Sequence, residues 1–505
     1  MKIFRTTQIR KLDQFTIEHE PIVSIDLMER AAKAIFTEFI ISFPTTFPVC
    51  ILAGSGNNGG DALALARLLL EKAYKVDVIL LHSGKITVDC EANKSKLQAL
   101  FPKQLTIQHN TFVAPDISEQ TILIDGLFGS GLSREIEGFY ADAINWMNAS
   151  GCHIISIDIP SGLQGEENSS NSSVIVKANL TYSIQFPKLA FLFPENEKYV
   201  GKWKLIDIGI LPQIIATTES MFAYLDKSDI QLRIRPRSKF AHKGSFGHIL
   251  LIAGSEGMAG AAILSAKAAM RSGAGLVTVQ SVETNRIILQ TALPEAIFHS
   301  HDYSYTATEK TDYLQYTTIA IGPGIGQEKT TVSFLKTWLI NQSNPLIIDA
   351  DALNIISKNP DFLNYIPHKS ILTPHPKEFE RLFGTCENGY MRMKKANEMS
   401  VKLGIIIILK GANTLIALPD GQLFFNSTGN SGMATAGAGD VLTGIISGLL
   451  AQGYLPEEAA IVGVYLHGLA ADLALTEQSE ESLMAGDIID CLGRAFKEIA
   501  SHSAK

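Results

Sequence analysis

Two glycine-rich stretches bring carboxylates to the start of apolar helical patterns, and chemistry would be carried there. In the first, an apolar run at 49–53 (VCILA) opens into Gly54-Ser55-Gly56-Asn57-Asn58-Gly59-Gly60-Asp61, and ALALARLLLEKA continues with helical spacing. Glycines at such a turn let the backbone approach a pyrophosphate and leave helix N-terminal amides pointing at it. Gly54, Gly56 and Gly59 satisfy G-x-G-x-x-G, but a plain dinucleotide site also wants an acid closing the next strand, about 20 residues on. Asp77 opens its strand at 76–81 instead of closing it. On this motif alone a plain dehydrogenase and a merely structural turn both stay open.

Two more loops repeat the polar load of Asn57, Asn58 and Asp61. The run 121–125 ends in Asp125, followed by GLFGSGL, and the run 153–158 ends in Asp158, followed by IPSG with Ser161. Three strand ends would thus deliver Asn, Asp and Ser side chains to one edge of a sheet, where open α/β sheets bind ligands. Oxygens from Asn58, Asp125 and Ser161 could hold a hard cation. Simple capping of the following helices is the alternative for any one of them.

The second stretch is 427–450, where Ala436-Gly437-Ala438-Gly439-Asp440 begins an apolar helix. Amides at such a helix start can stabilise a transferring phosphoryl group, with Asp440 as base toward a neighbouring hydroxyl. Close helix packing would equally use the glycines. Lys410-Gly411-Ala412-Asn413-Thr414 follows the apolar run 404–409 and could bind nucleotide phosphates through amides and ammonium.

The elements that must position these residues are short apolar runs, each followed by a Gly-rich turn and a helical pattern. They fall at 49–53, 76–81, 121–125 and 153–158, and again at 248–253, 276–280, 317–321, 345–350, 370–373 and 404–409. This rhythm predicts two tandem α/β domains with parallel sheets, the first a doubly wound, Rossmann-like sheet. A strand-like end at 207–210 precedes the boundary near residue 215, and 164–173 (QGEENSSNSS) reads as a surface loop.

The 505 residues carry 43 basic and 51 acidic side chains, a formal charge of −8, with no long basic run, so nucleic acid is not an expected partner. The N-terminus has no apolar signal core, and no apolar stretch reaches the roughly 20 residues that cross a bilayer, so a cytoplasmic chain without membrane partners is expected. Five scattered cysteines suggest neither a disulfide framework nor a zinc site.

NNGGD at 57–61, LIDGLFGSGL at 123–132, SIDIPSGL at 156–163 and QFPK at 185–188 resemble the NAD(P)H-hydrate epimerase domain of the bifunctional NAD(P)H-hydrate repair enzymes, over roughly residues 1–215. The resemblance implies that Asn57, Asn58, Gly59, Gly60 and Asp61, with Gly129, Ser130, Gly131, Leu132, Ser133, Arg134 and Glu135, contact the hydrated nucleotide. Tyr140 and Asp158 would complete the site. It implies K⁺ at Asn58, Asp125 and Ser161. Ala62 stands where the family usually has Gly, and the loop after SIDIPSGL lacks the usual Asp-Thr-Gly.

HKGSFGHILLIAGS at 242–255, GPGIG at 322–326, DADALN at 349–354 and TPHPKEFERL at 373–382, with the Asp440 stretch, are similar to the ribokinase-like, ADP-dependent dehydratase domain of the same enzymes, over 220–505. This implies Ala253, Gly324, His375 and Asp440 for the hydrated nucleotide. It assigns Lys410, Gly411, Ala412, Asn413 and Thr414, with Gly439, to the adenine nucleotide. His375 alone would read equally as a packed core histidine. Ser431 and Ala438 depart from the family pattern. The implied chemistry is epimerisation of R and S hydrates, with Asp158 as acid/base, and dehydration of the S hydrate through phosphorylation by ADP, with Asp440 as base and Mg²⁺ on the phosphates. The charge and the family pattern are compatible with a homo-oligomer, a tetramer included. A ribokinase-type small-molecule kinase fused to a nucleotide-binding module is the competing reading, and a first domain that binds without turnover is another.

Overall fold

The computed structural model describes residues 1–132, 135–168, 174–301 and 315–501. The chain divides into two compact units: 2–220 together with 388–390, and 221–387 with 391–505 and Met1.

In the N-terminal unit a seven-stranded parallel sheet runs in the order Leu105–His109, Val76–His82, Val49–Ala53, Ile122–Gly126, His153–Ile157, Leu180–Ile184, Lys202–Ile206. Successive side chains of one strand serve opposite faces: Ile51 joins the core under the first helices, whereas Cys50 and Leu52 join the core beneath the helix Phe139–Ala149. That is why these strands are apolar throughout. The strand order reverses between Val49–Ala53 and Ile122–Gly126, and loops leaving such a switch point diverge to open a crevice at the carboxyl edge.

The sheet of the C-terminal unit runs Phe222–Tyr224, Leu423–Phe425, Leu415–Ala417, Ile406–Leu409, Ile371–Leu372, Leu346–Ile348, Thr318–Ile321, His248–Ile252, Leu276–Ser281, Ile297–Ser300. Its middle is parallel from Ile406–Leu409 to Ile297–Ser300, and Leu415–Ala417 adds antiparallel on the other side. Order reverses beside His248–Ile252, the second switch point. Helix Ala438–Ala451 lies on Ala259–Arg271 so closely that a methyl at Gly444 would stand 2.2 Å from the Ser265 carbonyl oxygen. The packing role foreseen for glycines here is met by Gly444, and within the 436–440 stretch by Gly437, where a Cβ would stand 2.4 Å from Leu264 Cδ1 of helix Ala259–Arg271.

The expected α/β architecture is present, with differences at its margins. No strand occupies 207–210; the strand is Lys202–Ile206, after which Asp207 Oδ1 accepts the Gly209 amide at 2.9 Å and Gly209 turns the chain at φ +70°. Residue 215 lies in the helix Pro212–Thr217, within the first unit, and the units part between Ser220 and Met221. Residues 169–173 of the expected surface loop lie outside the described residues.

Candidate active sites

The first site is a cavity of about 600 Å³ at the carboxyl edge of the N-terminal sheet. Its floor is the turn into helix Asn57–Glu71, which Gly59 makes tight: a Cβ there would stand 1.8 Å from the Gly54 carbonyl oxygen. Asn58 is buried, with its amide nitrogen donating to the Ile157 carbonyl at 3.2 Å and its Oδ1 left without a partner among the described residues. Asp61 is buried one turn on, and burial, then the charges of Asp158, Asp13 and Asp89, push its carboxyl well above the ordinary range.

Asp158 leaves its strand at φ +66° and lines the cavity. Burial would raise its carboxyl, but the Lys188 ammonium at 2.6 Å from Oδ1 and the Ser130 amide at 3.1 Å from Oδ2 outweigh it and hold it below its ordinary value. Lys188 is 2% exposed and its ammonium also donates to Ser183 Oγ and to the Ile184 and Phe186 carbonyls, so the pair is fully satisfied. Asp125, wholly buried, accepts from Ser161 Oγ at 2.5 Å, the Ser161 amide at 2.8 Å, Ser156 Oγ at 2.8 Å and the Leu127 amide at 3.2 Å. Burial nevertheless leaves its carboxyl raised.

The second site gathers at the carboxyl edge of the C-terminal sheet. Gly437 caps helix Ala438–Ala451 at φ +86°, the left-handed region that favours glycine, and this aims Asp440 in the first turn. Burial, then the Asp349 charge, raise Asp440 to about 7, against the opposing pull of Lys410. Lys410 Nζ lies 3.1 Å from Asp349 Oδ1 and 4.0 Å from Glu378 Oε2, while Asp349 Oδ2 accepts from Thr443 Oγ1 at 2.7 Å. A methyl on Gly439 would approach Lys410 Nζ at 3.3 Å, so the helix start and the lysine face one another. His375 caps helix Pro376–Phe383: its Nδ1 accepts the Lys377 and Glu378 amides at 3.2 and 3.4 Å, and Glu378 Oε2 accepts the His375 amide at 2.9 Å. The Gly254 and Ser255 amides donate to the Pro323 and Gly324 carbonyls at 2.8 and 2.6 Å, tying the strand end after Ala253 to the GPGIG loop.

Residues 249–494 match the family model described as NAD(P)H-hydrate dehydratase, and residues 24–190 match the one described as YjeF-related protein N-terminus. The bifunctional NAD(P)H-hydrate repair enzyme Nnr of Moorella thermoacetica is 34% identical over 99% of this chain and 97% of its own length. The chain belongs to the bifunctional NAD(P)H-hydrate repair enzymes. That of Coxiella burnetii is 33% identical, covering 96% of this chain and 97% of its own. Among solved structures, a ribokinase-like superfamily protein from Enterococcus faecalis is 34% identical, covers 56% of this chain and 98% of its own, and superposes with a TM-score of 0.50. The two-domain, Rossmann-like and ribokinase-like architecture of the repair-enzyme family is therefore this chain's own.

Against the residues foreseen for a repair enzyme, the cavity brings together Asn57, Asn58, Asp61, Gly129, Ser130, Gly131, Leu132 and Asp158. Gly59 and Gly60 lie outside the lining; Gly59 keeps the turn tight against Gly54, and a Cβ on Gly60 would meet Met28 Sδ at 2.6 Å. Tyr140 is not part of the lining: it packs between Phe128 and Phe139, and its hydroxyl donates to the Leu81 carbonyl at 3.2 Å. Glu135 lies outside the lining as well, and Ser133 and Arg134 lie outside the described residues. Asp77 is exposed near the start of Val76–His82, far along the strand from the carboxyl edge where a ribose acid would act. His375 is a half-exposed helix cap, so the packed-core alternative does not hold.

Sequence reasoning missed Asp13 on helix Thr6–His19, which enters the same cavity, and the Asp349–Lys410 pair. DADALN carried part of the resemblance, but Asp349 was given no place in the site. Also missed was His467, buried beside Ala438 and lowered to about 4 by burial and then by Lys410. Of the oxygens foreseen for a cation, Asn58 Oδ1 lines the cavity and is a buried acceptor without a partner among the described residues; Asp125 and Ser161 are buried outside the lining, and Asp125 has hydroxyl and amide donors but no ammonium or guanidinium partner among those residues. Among those residues, too, no three His, Cys, Asp or Glu side chains cluster to hold a metal. No helix among the described residues is long and apolar enough to cross a membrane, and all five cysteines are unpaired.

Proposed function

We propose that this chain repairs hydrated NADH and NADPH in two steps. The N-terminal unit interconverts the R and S hydrates. The C-terminal unit dehydrates the S hydrate to NAD(P)H while ADP becomes AMP and phosphate. The observation that carries the reading is that one chain holds a polar cavity walled by carboxyls at the carboxyl edge of its first sheet, and gathers an acid, an ammonium and a helix start at the carboxyl edge of its second.

The hydroxyl beside the ring nitrogen of the hydrate is a poor leaving group, and phosphorylation turns it into one the nitrogen lone pair can expel. Asp440 takes the hydroxyl proton, and the Gly437 to Gly439 amides hold the moving phosphoryl group. Lys410 to Thr414 and Gly439 bind ADP, with Lys410 exchanging Asp349 for phosphate; Ala253, Gly324 and His375 hold the hydrate beside Asp440. When bound, Mg²⁺ neutralises charge on the nucleotide phosphates. In the first unit Asn57 to Asp61 and Gly129 to Leu132 cradle the hydrated nucleotide, Asp158 moves protons, and Asn58, Asp125 and Ser161 would hold K⁺, which would supply an electrostatic anchor. Unpaired cysteines support a reducing, cytoplasmic setting, and the assembly we infer is a homo-oligomer.

Asp440→Asn is expected to lose dehydration of the S hydrate by roughly 100-fold or more, the scale of a lost general base, while R and S hydrates still interconvert. Dehydration at the parent rate would overturn the assignment.

A further inference from the structure

Expulsion and return of a hydroxyl at one carbon needs a proton donor for the departing oxygen and an acceptor for the incoming water. Asp158 is held ionised by Lys188 and supplies only the acceptor. A second carboxyl reaches the cavity from a different element. Helix Thr6–His19 presents Thr6, Ile9, Arg10, Asp13 and Ile17 to it, at the spacing of one helical face, and Asp13 is the carboxyl among them. We propose that Asp13 is a catalytic residue of epimerisation, the acid that protonates the departing hydroxyl while Asp158 receives the proton of the incoming water. This rests on the epimerase reading of the first unit.

In the step, the ring-nitrogen lone pair forms a C=N bond as the C–O pair leaves with oxygen, which takes the Asp13 proton and departs as water. A second water adds its oxygen to the other face of that carbon, the C=N pair returns to nitrogen, and the water proton passes to Asp158. Transfer of that proton back to Asp13 restores both groups, with no net gain or loss. A weakly basic Asp158 is adequate, because water bonded to an iminium carbon is strongly acidic.

The surroundings of Asp13 agree with the role. Burial, then the negative charge of Asp158, raise it to about 6, against the opposing charge of Lys188. The other charged groups on this cavity are Arg10 on its own helix and Asp61 and Asp89 at the starts of two more. Asp61 shares the cavity and is pushed above the ordinary range too, by burial and then by the charges of Asp158, Asp13 and Asp89; Asp13, raised to about 6, can both give and regain a proton near neutrality.

The test uses the full chain and measures interconversion of R and S NADHX, with dehydration of the S hydrate as an internal control. Asp13→Asn, isosteric with the protonated acid, is expected to lower kcat for epimerisation by about 100-fold with KM little changed and S dehydration intact. In the parent, kcat/KM for epimerisation should decline as pH rises above about 6, as the acid form is lost, and this limb should vanish from the residual activity of Asp13→Asn. Asp13→Glu should restore part of the rate and the limb. Epimerisation by Asp13→Asn at the parent rate, or an unchanged alkaline limb, overturns the proposal while leaving the epimerase reading standing. A parent chain that does not speed interconversion removes the reading itself. Should Asp13→Asn fail to fold, Asp13→Glu decides, since a group of the same acidity keeps the limb and a structural role does not require one.

Discussion

Asp440 and Asp158 both sit at sheet edges beside glycine-rich loops, yet their surroundings drive them apart. Lys188 contacts Asp158 directly and keeps it charged, whereas Lys410 is shared with Asp349 and leaves Asp440 raised to about 7. A base must be ionised to act, so kcat/KM for dehydration should climb as pH rises from 6 to 8, and Asp349→Asn, which removes a neighbouring negative charge, should move that limb to lower pH. A pH profile of the parent that is flat across this range would contradict the role given to Asp440. At this scale the sequence revealed side chains embedded in glycine-rich punctuation, because the punctuation marks where backbone comes close to a ligand. It was silent on Asp13, which sits in an ordinary amphipathic helix, and on the pairing of Lys188 with Asp158, which depends on a fold-back from QFPK. Tyr140 shows the converse: its place in a pattern said nothing of the Leu81 carbonyl that engages its hydroxyl.

The turn into helix Asn57–Glu71 is the element on which the first site depends. A Cβ on Gly59 would meet backbone, the Gly54 carbonyl oxygen at 1.8 Å, and no side-chain rotation can relieve that. Gly59→Ala is therefore expected to cost about 3 kcal/mol, the upper end of overpacking penalties, or to prevent folding of the first unit. Denaturant unfolding of Gly59→Ala at parent stability would refute this geometry. Central strands such as Val49–Ala53 and Ile122–Gly126 were legible because burial on both faces makes them apolar throughout. Leu105–His109 and Lys202–Ile206 were not, because half-exposed residues break their apolar runs, and the three-residue strands Leu415–Ala417 and Leu423–Phe425 are too short to show a period.

For the whole molecule, two sheets with their own switch points explain why a single chain carries two sets of chemical residues. Two domains were readable from the restart of the strand rhythm at 248, but not the detail of their boundary, since the helix Pro212–Thr217 continues the first unit past the proline that suggests a break. The two steps matter together: dehydration of the S hydrate draws the R hydrate through epimerisation. The most direct measurement is the rise of reduced-nicotinamide absorbance when the full chain meets mixed R and S NADHX with ADP, Mg²⁺ and K⁺. Complete conversion of the mixture is the expected result. Conversion of the S fraction alone, with R declining only at its spontaneous rate, would contradict the two-step account.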